Sequence, residues 1–296
     1  MPGDLTRFAN RLRAARPDLA AEHLRGTVAA ERFVRGEQRT VVASLLDLST
    51  RPNPGAARDT QLLHGESFVV YETREDGLAW GQAELDGYVG YVAASGLGAP
   101  RPRGTRITAI SSHLYPEPSV RARPSLDLPF MAEVAVRGTT GDFARLRAGG
   151  HVPRAHLAPV SGDFVDQAER FIGVPYLWGG RGARGLDCSA LVQLALLATG
   201  VAAPRDSDMQ AALLGAPLPP RVASKRGDLL FWKGHVGMLI DEDTLLHANG
   251  HHMAVVAEPL APALARIAAA GGGPVTVRRR LAKGVGEPTH WTTAAR

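Results

Sequence analysis

Tyr176-Leu-Trp-Gly-Gly-Arg-Gly-Ala-Arg-Gly-Leu-Asp-Cys-Ser-Ala-Leu-Val192 is the stretch on which the reading of this chain turns. A glycine-rich loop runs into Asp187, a natural N-cap, and places Cys188 in the first turn of a helix expected over Asp187 to Thr199. Leu191, Leu194, Ala195 and Ala198 form its apolar stripe, and Gly200 suits its end. A thiol so placed feels the positive end of the helix dipole and unpaired backbone N–H groups, and both favour thiolate. The same N–H groups can hold a developing oxyanion. A lone cysteine is also commonly a small buried hydrophobe, so position alone leaves two readings, nucleophile or core residue.

A cysteine nucleophile needs a base, and the base needs an orienting partner. Gly227-Asp-Leu-Leu-Phe-Trp-Lys-Gly-His-Val-Gly-Met-Leu-Ile240 and, after a turn, Leu245-Leu-His-Ala-Asn249 supply two histidines on expected strands. His235 opens the first strand as the base, and His247 follows as the orienting group. Either could instead be a satisfied core histidine. Alternation along a strand sets a condition. If Ile240 paired with Leu245, His247 would lie opposite Met238 and face away from His235. A shared face therefore demands an odd-numbered loop or a bulge.

Around this core the expected elements are helices over Phe164 to Phe171 and Ala261 to Ala270. Strands are expected over Asp228 to Trp232, His235 to Ile240, Leu245 to Ala248, Ala254 to Ala257 and Val275 to Arg279. Helices followed by a run of antiparallel strands indicate an α+β domain. Upstream the pattern is short and β-rich. Val41-Val42, Phe68 to Tyr71, Leu78 to Trp80 and Tyr88 to Val92 are strand-like runs separated by turn signals such as Glu75-Asp-Gly77 and Asp86-Gly87. After a Pro/Gly/Arg linker, Leu114 to Pro116, Phe130-Met131, Ala132 to Val136, Phe143 to Leu146 and Gly150 to Val152 repeat the theme weakly, which fits two tandem small barrels. The expected organisation is an N-terminal arm at 1–35, with a short helix around Leu19 to Leu24, barrels at 36–98 and 104–160, an α+β domain at 161–283 and a tail at 284–296.

The chain has 296 residues, with Lys+Arg 34 against Asp+Glu 29 and a net charge of +5. Hydrophobic residues are 45% and charged residues 21%, so the chain is globular rather than disordered. The basic residues are scattered arginines, which argues against a nucleic-acid binder. One cysteine excludes both an internal disulfide and a CxxC zinc site. No stretch reaches the ~20 apolar residues of a membrane span, and the Arg-rich start lacks the apolar region of a signal peptide. The expectation is a cytoplasmic protein with no membrane partner.

Taken together, Pro175-Tyr-Leu-Trp-Gly-Gly180, Leu186-Asp-Cys-Ser189, Gly227-Asp-Leu-Leu-Phe231, His235-Val-Gly237 and Leu246-His-Ala-Asn249 resemble the NlpC-type cysteine peptidases. These are papain-like enzymes acting on bacterial cell-wall peptides, and the resemblance runs from about Phe164 to Arg280. The upstream barrels resemble the bacterial SH3-like domains that precede this catalytic domain. With Pro204-Arg-Asp-Ser207, the branch it resembles most is the cytoplasmic γ-D-glutamyl-L-diamino acid endopeptidases of murein peptide recycling.

The resemblance implies hydrolysis of the γ-D-glutamyl–diamino acid bond in free murein peptides such as L-Ala-γ-D-Glu-meso-diaminopimelate, with a free N-terminal L-Ala required. It makes Cys188 the nucleophile, His235 the base and His247 the third residue. It puts Tyr176 near the oxyanion, and Trp178, Asp187, Ser189, Asp206 and Ser207 beside the substrate. Glu66 and Tyr88 of the first barrel would hold the amine, with Tyr91 able to exchange roles with Tyr88. No metal or organic cofactor is implied, the partners are murein-derived peptides, and the protein is expected to be a monomer or weak oligomer. An amidase or acyltransferase on the same scaffold is one alternative. An inert wall-peptide-binding module is the other, and it would have lost Cys188, His235 or His247.

Overall fold

The computed structural model describes residues 5–53 and 55–282, so the expected tail lies outside the described residues. The chain divides into two compact units, one running up to Pro159 and one starting at Val160.

The first unit is all β apart from short helical turns. Its main sheet is antiparallel, in the order Thr60–Leu63, Leu45–Ser49, Val89–Ala93, Leu78–Ala83, Ser67–Thr73, Glu37–Val41, Leu97–Gly98. Leu45–Ser49 and Thr60–Leu63 were not marked in the sequence; they lie on either side of the sequence Arg51-Pro-Asn-Pro-Gly55, and Thr60–Leu63 is buried throughout. The arm differs from expectation. Leu19 to Leu24 is not a helix: Leu19–Ala21 is a strand paired parallel with Arg32–Val34, followed by a 3-10 turn over Glu22–Leu24. Ala, Leu and Glu are good helix formers, but here Leu19, Ala21 and Leu24 are drawn into one core with Trp80, Val89 and Tyr91, and burial overrides propensity.

Downstream, three short sheets share a second core of Ile107, Leu128, Ala132, Val134, Ala144, Leu146 and Val152. The expected strand run Phe130-Met131 is a turn instead, because Met131 takes a left-handed φ of 66° and turns the chain between Leu126–Pro129 and Glu133–Val134. The two β regions are stitched by the Glu133 N–H donating to the His64 carbonyl at 2.8 Å.

The second unit positions the candidate site. Helix α1 (Phe164–Glu169) is entered through a reciprocal capping box between Asp163 and Asp166. A small hairpin, Arg181–Gly182 with Gly185–Leu186, folds the glycine-rich loop. Helix α2 (Cys188–Ala198) follows, and then α3 (Ser207–Leu213), which the sequence reading missed. Strands β1 (Ala216–Pro217), β2 (Leu229–Trp232), β3 (His235–Leu239), β4 (Thr244–Asn249) and β5 (Ala254–Pro259) come next, then helix α4 (Leu260–Ile267) and strand β6 (Val277–Arg280). The sheet is antiparallel in the order β1-β6-β2-β3-β4-β5. Leu230, Trp232, Leu239, Leu245 and Ala263 form the core between this sheet and α4. Among the described residues no helix is long and apolar enough to cross a membrane.

Candidate active site

Asp187 is the residue on which the loop and α2 are hung. Its Oδ1 accepts the Ala190 N–H at 2.8 Å, which is the N-cap bond. Its Oδ2 accepts the Gly179 N–H at 2.9 Å, tying down the glycine-rich loop. Arg205 closes the arrangement with a bidentate pair, 2.9 Å to Oδ1 and 2.7 Å to Oδ2, and also donates to the Ser189 hydroxyl at 2.9 Å. Arg205 is 1% exposed. Two charges this deep are tolerable only because each answers the other with directed hydrogen bonds. Gln210 of α3 then donates to the Ser189 and Pro204 carbonyls, both at 2.9 Å. Asp187 and Ser189 thus have internal partners that shape the site. Arg205 and Gln210 were missed as site builders, although Arg205 stands inside the quoted Pro204–Ser207 motif.

This frame sets Cys188 at the start of α2, against the start of β3. The backbone N–H groups of Val236, the residue after His235, and of Ser189 favour its ionised form. The thiolate expected from the helix end is corrected here. Burial pushes the Cys188 thiol up to about 12, the Asp187 carboxylate adds to the rise, and the two N–H groups and Arg205 offset only part of it. Desolvation outweighs the helix end, so the thiol rests protonated. Burial likewise pushes His235 down to about 3, with His247 and Arg266 acting in the same direction. Both shifts favour the neutral forms, thiol and imidazole.

The two histidines share a face. Met238 pairs with Leu246 and Leu239 with Leu245, and the Ile240 N–H donates to the Thr244 carbonyl at 3.1 Å. The loop is therefore Asp241-Glu242-Asp243, the odd-numbered case, and His235 Nε2 lies 2.8 Å from His247 Nδ1. Gly237 stands across from His247, where a Cβ would come within 2.7 Å of Leu245 Cδ1 and 3.2 Å of His247 Cβ. The absence of a side chain there lets the ladder close around the pair.

Tyr176 is half-buried near the thiol. Burial pushes its hydroxyl up to about 12, with the charges of Cys188 and Asp187 adding to the shift, so it remains a proton donor. Trp178 is 66% exposed in the same loop. Asp206 is the N-cap of α3 by position, yet its carboxylate does not cap the helix. Asp206 and Ser207 are both half-buried. Glu66 and Tyr88 belong to the first unit and are buried there, as is Tyr91, whose hydroxyl accepts from Arg16 at 2.9 Å. Among the described residues no group of three or more His, Cys, Asp and Glu is placed to hold a metal ion.

Comparison with known proteins agrees with this architecture. The pattern of the bacterial dipeptidyl-peptidase Sh3 domain matches residues 48–97, and that of the NlpC/P60 family matches residues 173–263. A gamma-D-glutamyl-L-lysine dipeptidyl-peptidase of Bacillus subtilis is 28% identical over 220 residues, 64% of this chain and 71% of that protein. A probable endopeptidase of Corynebacterium glutamicum is 31% identical over 150 residues, 49% of this chain and 70% of that protein. The crystal structure of an NlpC/P60 family protein from Bacillus cereus shares the fold, with a TM-score of 0.68 at 19% identity, covering 82% of this chain and 99% of that one. With the Sh3 pattern upstream and the NlpC/P60 pattern over the sheet-rich second unit, these matches place the chain in the NlpC/P60 family of peptidases.

Proposed function

We propose that the protein is a cysteine endopeptidase that cleaves the γ-D-glutamyl–diamino acid bond of free murein peptides. The observation that carries this is Cys188 at the α2 start, acted on by the N–H of Val236, the residue after His235, with His247 Nδ1 2.8 Å from His235 Nε2. The names of the similar dipeptidyl-peptidases support the bond chosen. The thiol proton passes to His235 as sulfur attacks the γ-carbonyl, because a neutral pair works by general-base transfer at the moment of attack. N–H groups of the first turn of α2 and the Tyr176 hydroxyl are the donors available to the oxyanion. His235 then protonates the leaving amine, and water hydrolyses the thioester. No metal or organic cofactor enters these steps.

Trp178, Asp206 and Ser207 are assigned to the substrate, and Asp187 and Ser189 to shaping its site. Glu66 and Tyr88 are assigned to the free L-Ala amine on the resemblance alone. We further assign a second SH3-like barrel to 104–160, a papain-like arrangement to the catalytic unit, a cytoplasmic location, a recycling role, and a monomer or weak oligomer. A site with a carboxylate for the amine rejects an acylated, uncharged N-terminus by a few kcal/mol, about a hundredfold or more.

The test is incubation with L-Ala-γ-D-Glu-meso-diaminopimelate, its L-lysine counterpart and their N-acetylated forms, with mass-spectrometric detection beside Cys188→Ala. Release of L-Ala-D-Glu from free-amine peptides by the unmutated enzyme alone is the expected result. Equal cleavage of acetylated peptides overturns the amine requirement. A new amide bond to an added acceptor amine would instead make the enzyme an acyltransferase.

A further inference from the structure

The strand after the two histidines carries a carboxylate that sequence reasoning passed over. Glu258 of β5 pairs across the ladder with Leu245, which puts it diagonally beside His247 on the same face. Its Oε1 lies 2.7 Å from His247 Nε2, and the same oxygen accepts from Arg266 of α4. Asn249 Nδ2 stands 3.0 Å from that same His247 nitrogen, while Asn249 Oδ1 is occupied by the His252 N–H at 2.9 Å. To His247 Nε2, then, Asn249 offers only a donor and Glu258 only an acceptor. One nitrogen can serve one of them, and a charged acceptor outweighs a neutral donor.

The hydrogen therefore sits on His247 Nε2. A neutral imidazole carries one, so His247 Nδ1 is an acceptor. His235 Nε2, 2.8 Å away, must be the hydrogen-bearing nitrogen of its own ring. His235 Nδ1 is then left as a bare lone pair, which is what a base for a neutral thiol requires.

We propose that Glu258, held by Arg266, is a positioning residue that fixes the tautomer of His247 and through it keeps His235 Nδ1 unprotonated. This rests on the reading of Cys188 and His235 as nucleophile and base. Arg266 also has an electrostatic part. Glu258 favours protonation of His247, whereas Arg266 opposes it at both histidines. The groups facing His247 are Glu258 from β5, Arg266 from α4, His235 from β3 and His252 from the turn after β4. Those facing His235 are His247, Arg266 and the Trp232 ring of β2, and the adjacent Val236 N–H acts on Cys188 of α2.

The test uses the full chain with 15N-labelled histidine. Two-bond proton–nitrogen correlation spectra of the unmutated protein should show His235 and His247 both as the Nε2–H tautomer. In Glu258→Gln the His247 signal should become a tautomer mixture. Its kcat should fall about ten- to a hundredfold with KM unchanged, and the acid limb of kcat/KM should move to lower pH. Glu258→Asp should recover part of the kcat.

Arg266→Met separates positioning from anchoring of α4. It should keep the tautomer and most of kcat while moving the acid limb to higher pH. Unchanged tautomers in Glu258→Gln, or equal losses with the same shift in both variants, would overturn the proposal. Full turnover in Cys188→Ala would overturn the reading of Cys188 as nucleophile instead, leaving the tautomer result to stand on its own.

Discussion

At the scale of single residues the decisive contest is between a helix end and burial at Cys188. The helix end was legible because it is local: an N-cap aspartate and a following apolar stripe lie within a dozen positions. The burial that reverses its effect was not, since it arises only when the folded unit closes over the thiol. A protonated resting thiol has a measurable signature. Alkylation of Cys188 by iodoacetamide should be slower than that of a free cysteine at about pH 7 and keep rising past about pH 9. A plateau below neutral pH would mean a resting thiolate. His235 gives a second test with a definite sign. Its folded pKa is lowered from 6.5 to about 3, so the native state stays neutral where the unfolded chain binds a proton. The stability it contributes is intact above 6.5 and is lost as pH falls through that value toward 3, at about 1.4 kcal/mol per pH unit. Urea midpoints measured down this range should fall less steeply in His235→Gln than in the unmutated protein, and parallel slopes would refute the assignment.

At the scale of elements the hairpin β3–β4 shows what a sequence can and cannot specify. Strand parity made the condition on His235 and His247 explicit, and the three-residue loop meets it. Glu258 and Arg266 carried no signal, because a lone carboxylate in Val-Val-Ala-Glu-Pro and an arginine on an amphipathic helix read as solvated residues. Only the β4–β5 ladder brings Glu258 to His247, and only the helix after it brings Arg266 to Glu258. Gly237 is the other silent member of this hairpin. In Gly237→Ala the new methyl meets Leu245 and His247, so the Leu245 side chain or the ladder must give. The expected cost is about 1–3 kcal/mol, with a fall in kcat larger than any change in KM. Unaltered kinetics and stability would show that the hairpin relaxes freely. Arg205 joins the loop, α2 and the approach to α3 through Asp187 and Ser189. Arg205→Met leaves Asp187 buried and unpaired, so it should cost about 3–5 kcal/mol, read as a loss in urea midpoint. A loss under about 1 kcal/mol would mean that water replaces the guanidinium.

At the scale of the whole molecule the arm is the element whose role changes most between sequence and structure. As an appended helix it would be dispensable. As a strand and a 3-10 turn it completes the hydrophobic core around Trp80, and Leu24 is 6% exposed there. The catalytic unit has a separate core between its sheet and α4. Separate cores favour separate unfolding transitions. Leu24→Ala removes buried methyl groups from the first core alone, at a cost of about 2–5 kcal/mol. Scanning calorimetry should show one transition moved down and the other in place. Fluorescence assigns them through Trp80 of the first unit, measured with the other three tryptophans, Trp178, Trp232 and Trp291, replaced by Phe. Turnover measured well below both transitions should be unchanged. If both transitions move together, the two units unfold as one cooperative body, and the arm then contributes to the stability of the catalytic site as well as to the core it visibly completes.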